Sequence, residues 1–151
     1  MNTPPQVPPR PLYVVEPRAS WMQRRPLVVD CSVMAAFLFA EPAAELAASH
    51  LADHALHAPT LLPYEVANVA ATKQRRGAGA EEIATALTDF AEQRIELRAV
   101  PPDGAAAIAG RYGLTAYDAA YLWLAAELQA PLATFDQRLA AAARRHLGLP
   151  G

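Results

Sequence analysis

The stretch LTAYDAAYLWLAAELQAPLATFDQRLA, Leu114 to Ala140, decides how this chain folds. Thr115 is a good helix cap, and the residues behind it stay apolar on every side to about Gln129, which predicts a buried helix. Pro131 to Phe135 reads as a short buried strand, and residues 137–147 read as a last helix. Into this apolar setting the chain drops two aspartates, Asp118 and Asp136, with Arg138 the one cation close by. Carboxylates amid so much carbon call for a chemical reason.

Upstream, the same alternation repeats. Pro26 to Asp30 is a short apolar run ending in an acid, a buried strand. Residues 32–40 and 42–53 read as helices broken at Glu41-Pro42, and Leu56 to Pro59 as a weak second strand. A helix starts near Pro63 and runs to Arg76, where Gly77 stops it, and another covers Ala80 to Gln93. Ile95 to Val100 alternates as a third strand, and Pro101-Pro102 opens a helix ending near Gly113. Strands separated by helices predict an α/β fold with a parallel sheet covered on both faces. The sequence closes at Gly148 to Gly151, so a fifth strand is expected to be absent or very short.

The totals suit one domain: 151 residues, 53% hydrophobic and 19% charged. A single cysteine, Cys31, excludes an internal disulfide and fits a reducing cytoplasm. No apolar run reaches the roughly 18 residues that a membrane span needs. Seven of the fourteen prolines fall in residues 1–26, which gives no signal peptide but a polyproline-like arm. Such an arm is more readily a variable extension than a partner-binding tether. The expected division is a proline-rich extension over 1–25, the folded domain over 26–148 and a tail over 149–151. Of the net charge of −2, the first 25 residues carry +3, leaving −5 on the rest. Whatever this domain binds, a basic surface alone does not capture it.

Taken singly, the acids have ordinary explanations. Asp30 and Asp136 suit helix caps, Glu65 suits a helix first turn, and Asp118 forms a loose capping box with Thr115. Jointly they say more. Asp30 and Asp136 stand at the carboxyl ends of strands, where open α/β sheets form their ligand crevice. If those strands are neighbours, the two acids face each other. Converging carboxylates raise one another's pKa, and unless they share protons they need a cation. Oxygen ligands without His or Cys point to Mg²⁺ or Mn²⁺, ions that suit phosphodiester hydrolysis.

With these residues on the page, the chain resembles the PIN domain, and within it the VapC-type ribonuclease toxins. The resemblance rests on Val28-Val-Asp-Cys-Ser-Val33, Leu62-Pro-Tyr-Glu-Val-Ala-Asn68, Leu114-Thr-Ala-Tyr-Asp-Ala-Ala-Tyr-Leu122 and Pro131-Leu-Ala-Thr-Phe-Asp-Gln-Arg-Leu139. It implies a three-layer α/β/α sandwich with strand order 3-2-1-4, usually extended by a fifth strand. It also implies a Mg²⁺-dependent endoribonuclease whose catalytic and metal-binding residues match Asp30, Glu65, Asp118 and Asp136. Thr134 matches a polar residue that supports the last acid, and Ser32 does likewise after the first. Such toxins are typically homodimers held inactive by a co-encoded antitoxin. The proline-rich leader, the missing fifth strand and Cys31 depart from the common pattern.

Other residues carry weaker signals. Lys73, Arg75 and Arg76 end a helix, where cations suit the dipole; with Arg138 they are candidates to line an RNA path. Tyr117, Tyr121 and Trp123, at helical spacing beside Leu122 and Leu124, read as core or dimer contacts more readily than as base-stacking groups. His50 and His54 lack a third ligand and read as a surface pair. No second acid follows Asp30 two residues on, which argues against an aspartyl-phosphate phosphatase. A catalytically inactive PIN-like module binding protein or RNA, and a nuclease acting on DNA, are the competing functions.

Overall fold

The computed structural model describes residues 10–15 and 24–148. Five strands, β1 (Tyr13–Val15), β2 (Pro26–Val29), β3 (Ala55–Pro59), β4 (Ile95–Arg98) and β5 (Leu132–Thr134), form one sheet in the order β1-β5-β2-β3-β4. From β2 to β5 the strands are parallel, with Val28 opposite both His57 and Leu132. The expected order of the four parallel strands is therefore the observed one.

The fifth strand comes from the leader. Tyr13, Val14 and Val15 pair antiparallel with Thr134, Ala133 and Leu132. Val15 is buried, and the Arg144 guanidinium lies 5.2 Å from the centre of the Tyr13 ring. This part of the leader is thus a sheet strand and not a free polyproline-like arm. The dipeptide Val14-Val15 has strand propensity and an uncovered edge of β5 to pair with, and those two features outweigh the surrounding prolines. The remainder of the leader, apart from Arg10–Leu12 and Arg24–Arg25, and the tail from residue 149 lie outside the described residues.

Among the described residues, seven helices cover the sheet: α1 (Cys31–Leu38), α2 (Ala44–Ala52), α3 (Leu62–Arg75), α4 (Ala80–Glu92), α5 (Pro102–Tyr112), α6 (Ala116–Leu128) and α7 (Gln137–His146). Helices α1 to α4 pack together on one side, and α5 to α7 on the other. Helix α6 buries Ala119, Ala120, Tyr121, Leu122, Leu124 and Ala125, as a helix apolar all round should. It meets α5 at Gly104, where an added Cβ would stand 2.5 Å from the indole nitrogen of Trp123. Gly113, with φ of 65°, then ends α5 in the left-handed conformation that glycine adopts without strain.

This topology creates one position of consequence. The chain leaves β2 toward β3 on one side, and β5 arrives on its other side. The crevice between the carboxyl ends of β2 and β5 is therefore the switch point, where α/β sheets bind their ligands.

Candidate active site

Asp30 directly follows β2 and caps α1, with its side chain accepting from the Val33 amide at 3.1 Å. The Ser32 hydroxyl donates to the same oxygen, Oδ1, at 2.6 Å, and the Thr134 hydroxyl donates to Oδ2. Both hydroxyls are held in turn from β5 and its exit. The Ser32 Oγ accepts from the Phe135 amide and the Thr134 Oγ1 from the Asp136 amide, each at 2.9 Å. Two short side chains thus stitch the ends of β2 and β5 together around one carboxyl group. Asp30 is only 6% exposed, and this burial pushes its pKa up to about 6 against the opposing pull of its three hydrogen-bond donors.

Glu65 stands in the first turn of α3, where an acid complements the helix dipole. Its Oε1 accepts from the Tyr121 hydroxyl at 2.7 Å, a bond between α3 and α6. Tyr121 is 1% exposed, so it is a core residue as its spacing predicts, yet its polar tip reaches the site. Burial, then the nearby Asp30 and Asp118, raise the Glu65 pKa. The Tyr121 pKa is raised by its burial, so the phenol remains a donor. Cys31 sits among the same acids, and burial pushes its thiol up to about 12, which leaves it without nucleophilic character.

Thr115 caps α6 by accepting from the Asp118 amide at 3.1 Å. The Asp118 carboxyl, half-buried, has its pKa raised by burial and by Asp136, while Thr115 and Arg138 ease it. Asp136 is exposed and caps α7, accepting from the Leu139 amide at 2.9 Å. These two acids share a cleft of about 240 Å³ with Gly113, Leu114, Thr115 and Arg138. Arg138 donates to the Gly113 carbonyl at 2.7 Å, so its guanidinium is anchored at the rim and is not hydrogen-bonded to Asp136.

The four acids therefore meet at one end of the sheet, linked by repulsion from Asp30 through Glu65 and Asp118 to Asp136. Each donor is a carboxylate oxygen, and Glu65 Oε2 and Asp136 Oδ2 carry no protein hydrogen bond among the described residues. That chemistry fits a hard divalent cation. Among the described residues, no three His, Cys, Asp or Glu side chains stand close enough to enclose one. The acids line the crevice without closing into a cage.

The PIN domain pattern matches residues 27–145. The chain belongs to the PIN-domain family. A ribonuclease named VapC3, from Pyrobaculum aerophilum, is 35% identical over 120 residues, or 76% of this chain and 92% of that relative. It places this PIN domain among the VapC-type members. The crystal structure of PAE2754 from Pyrobaculum aerophilum superposes with a TM-score of 0.60 over 78% of this chain and 79% of that one. At 23% identity the latter likeness concerns the fold alone.

Several other expected residues lie elsewhere on the PIN domain. Lys73 pairs with Glu41 at 3.3 Å and lies over the Phe39 ring. Arg75 and Arg76 are exposed at the far end of α3, about 15 Å along the helix axis from Glu65. His54 bonds the backbone carbonyl of His50 at 2.7 Å, so the pair is not arranged to share a metal. Thr134 holds Asp30 as well as the Asp136 amide, a wider role than support of the last acid. The Tyr121 bond to Glu65 was beyond sequence reasoning, because an apolar helix gives no sign of which hydroxyl finds an acid 56 residues away.

Proposed function

We propose that this protein is a Mg²⁺-dependent endoribonuclease, with Mn²⁺ able to substitute, acting in the cytoplasm as the toxin of a VapBC-type toxin–antitoxin pair. The observation that carries this reading is the meeting of Asp30, Glu65, Asp118 and Asp136 at the β2–β5 switch point. The VapC3 relative supports RNA as the substrate and a cognate antitoxin as a partner. A homodimer is part of the same proposal, as the resemblance to VapC-type toxins implies. No helix among the described residues is long and apolar enough to cross a membrane. Residues 26–148 would be the catalytic domain, with the 1–25 extension lending it a strand and 149–151 a tail.

Asp30, Glu65, Asp118 and Asp136 are the residues that would hold the cation. When bound, it lowers the pKa of a water molecule and offsets the charge growing on phosphoryl oxygens. Ser32, Thr134 and the Val33 amide keep Asp30 from rotating, and Tyr121 does the same for Glu65. Arg138, at the rim of the Asp118–Asp136 cleft, can donate to a phosphate oxygen of the RNA. Lys73, Arg75 and Arg76 would touch only a longer strand that follows α3.

A second reading is a catalytically inactive PIN-like module. It is favoured by the open arrangement of the acids, none of which is drawn with two others into a cage. One experiment separates the two. Purified protein is incubated with single-stranded RNA, folded tRNA and single-stranded DNA, with and without Mg²⁺. Metal-dependent RNA cleavage is expected, with Asp118→Asn reducing it by at least about 100-fold. Wild-type protein that neither binds Mg²⁺ nor cuts RNA would establish the inactive module.

A further inference from the structure

Five large apolar side chains are exposed among the described residues, and the two aromatic ones each directly precede one of the four acids in the chain. Tyr64, 80% exposed, directly precedes Glu65 in the first turn of α3. Tyr117, 68% exposed, directly precedes Asp118 in the first turn of α6. The hydrogen bond from Tyr121 to Glu65 ties these two helices together beside the acids. A lone exposed aromatic residue needs no explanation. Two of them, from segments more than 50 positions apart and each adjoining an acid of one site, form a pattern that core packing does not account for. Tyr117 stands out within its own helix, since Ala119 to Leu122 are all buried.

We propose that Tyr64 and Tyr117 are substrate-positioning residues that stack unpaired bases of single-stranded RNA on either side of the acidic crevice. This rests on the ribonuclease reading above and deepens it. The electrostatics favour some such device. A bound cation would offset the acids at the reacting phosphate, but among the described residues Arg138 is the one cationic side chain lining the Asp118–Asp136 cleft, so little charge holds the flanking backbone. Base–aromatic stacking supplies binding that does not depend on charge, and it suits any base because every base presents a π-face. It also selects for unpaired RNA, since a base inside a duplex has no free face. Tyrosine offers a rigid, exposed ring with little side-chain entropy to lose on contact.

Steady-state cleavage of a single-stranded RNA by the full chain with Mg²⁺ tests this. Tyr64→Ala and Tyr117→Ala are each expected to raise KM by about ten-fold, with kcat changing less. Tyr64→Phe and Tyr117→Phe should restore wild-type KM, because the ring is retained. An oligonucleotide with abasic positions flanking the cleavage point should erase the difference between wild type and the alanine variants. Wild-type KM in both alanine variants would overturn the proposal and leave the ribonuclease reading intact. Phenylalanine variants as impaired as alanine would overturn it too, by assigning the effect to the hydroxyl. If gel filtration shows the alanine variants turning a dimer into a monomer, the rings belong to an interface between copies and the proposal fails. A wild-type protein that cuts no RNA would remove the ribonuclease reading itself, and the proposal with it.

Discussion

Asp30 faces two opposed demands. Three donors hold its carboxyl group as an acceptor, while burial favours the protonated acid and wins, raising its pKa from 3.8 to about 6. The native state then holds a proton that the unfolded chain has released, so between about pH 4 and pH 6 stability falls as pH rises. Below that window the penalty is absent, and above it the penalty is complete. The shift corresponds to about 3 kcal/mol at neutral pH. Asp30→Asn keeps a carbonyl oxygen for Ser32 and Val33 and has no charge to bury. In urea titrations without metal it should be more stable than wild type at pH 7.5, by about 1–3 kcal/mol, and equal or weaker at pH 4. It should also lose cleavage. Equal stability of the two proteins at pH 7.5 would show that the buried charge costs nothing.

Among the elements, β1 shows how a weak segment acquires structure from its context. It is three residues long, too short to persist alone, and it exists because β5 offers an uncovered edge. Its partner Thr134 is the residue whose hydroxyl joins Asp30 to the Asp136 backbone, so the leader strand backs the site directly. A chain starting at residue 16 loses the burial of Val15 and the β1–β5 hydrogen bonds, which together contribute about 2–5 kcal/mol. The urea midpoint should fall accordingly. Light scattering should show concentration-dependent association, because β5 becomes an open edge. An unchanged midpoint would mean that the leader strand is ornamental. The other elements were far more legible. Helix α6 declares itself by Thr115 and an apolar run, and β2 by its Val-Val pair ahead of an acid. A three-residue strand embedded in prolines carries no period to read, and only the partner strand makes it one.

For the whole molecule, the net charge of −2 and the scarcity of cationic side chains at the crevice among the described residues set how the proposed RNA binding should depend on salt. Single strands give a slope of about −0.7 in log affinity against log salt for each phosphate neutralised. With Arg138 the principal contact, the slope measured between 50 and 200 mM salt is expected to be no steeper than about −1.5. A slope near −3 would instead bring Lys73, Arg75 and Arg76 into the path. By itself the sequence determined the α/β alternation, the order of the elements and the four acids, because periodicity, caps and motif spacing are local properties of the chain. Tertiary structure decided the rest. It set the register of β2 against β5, gave Thr134 to Asp30, brought the Tyr121 phenol to Glu65 and drew Tyr13–Val15 into the sheet. Each of these joins residues far apart in the chain, and what selects them is the burial of carbon on both sheet faces, with the polar groups buried alongside it driven to find partners.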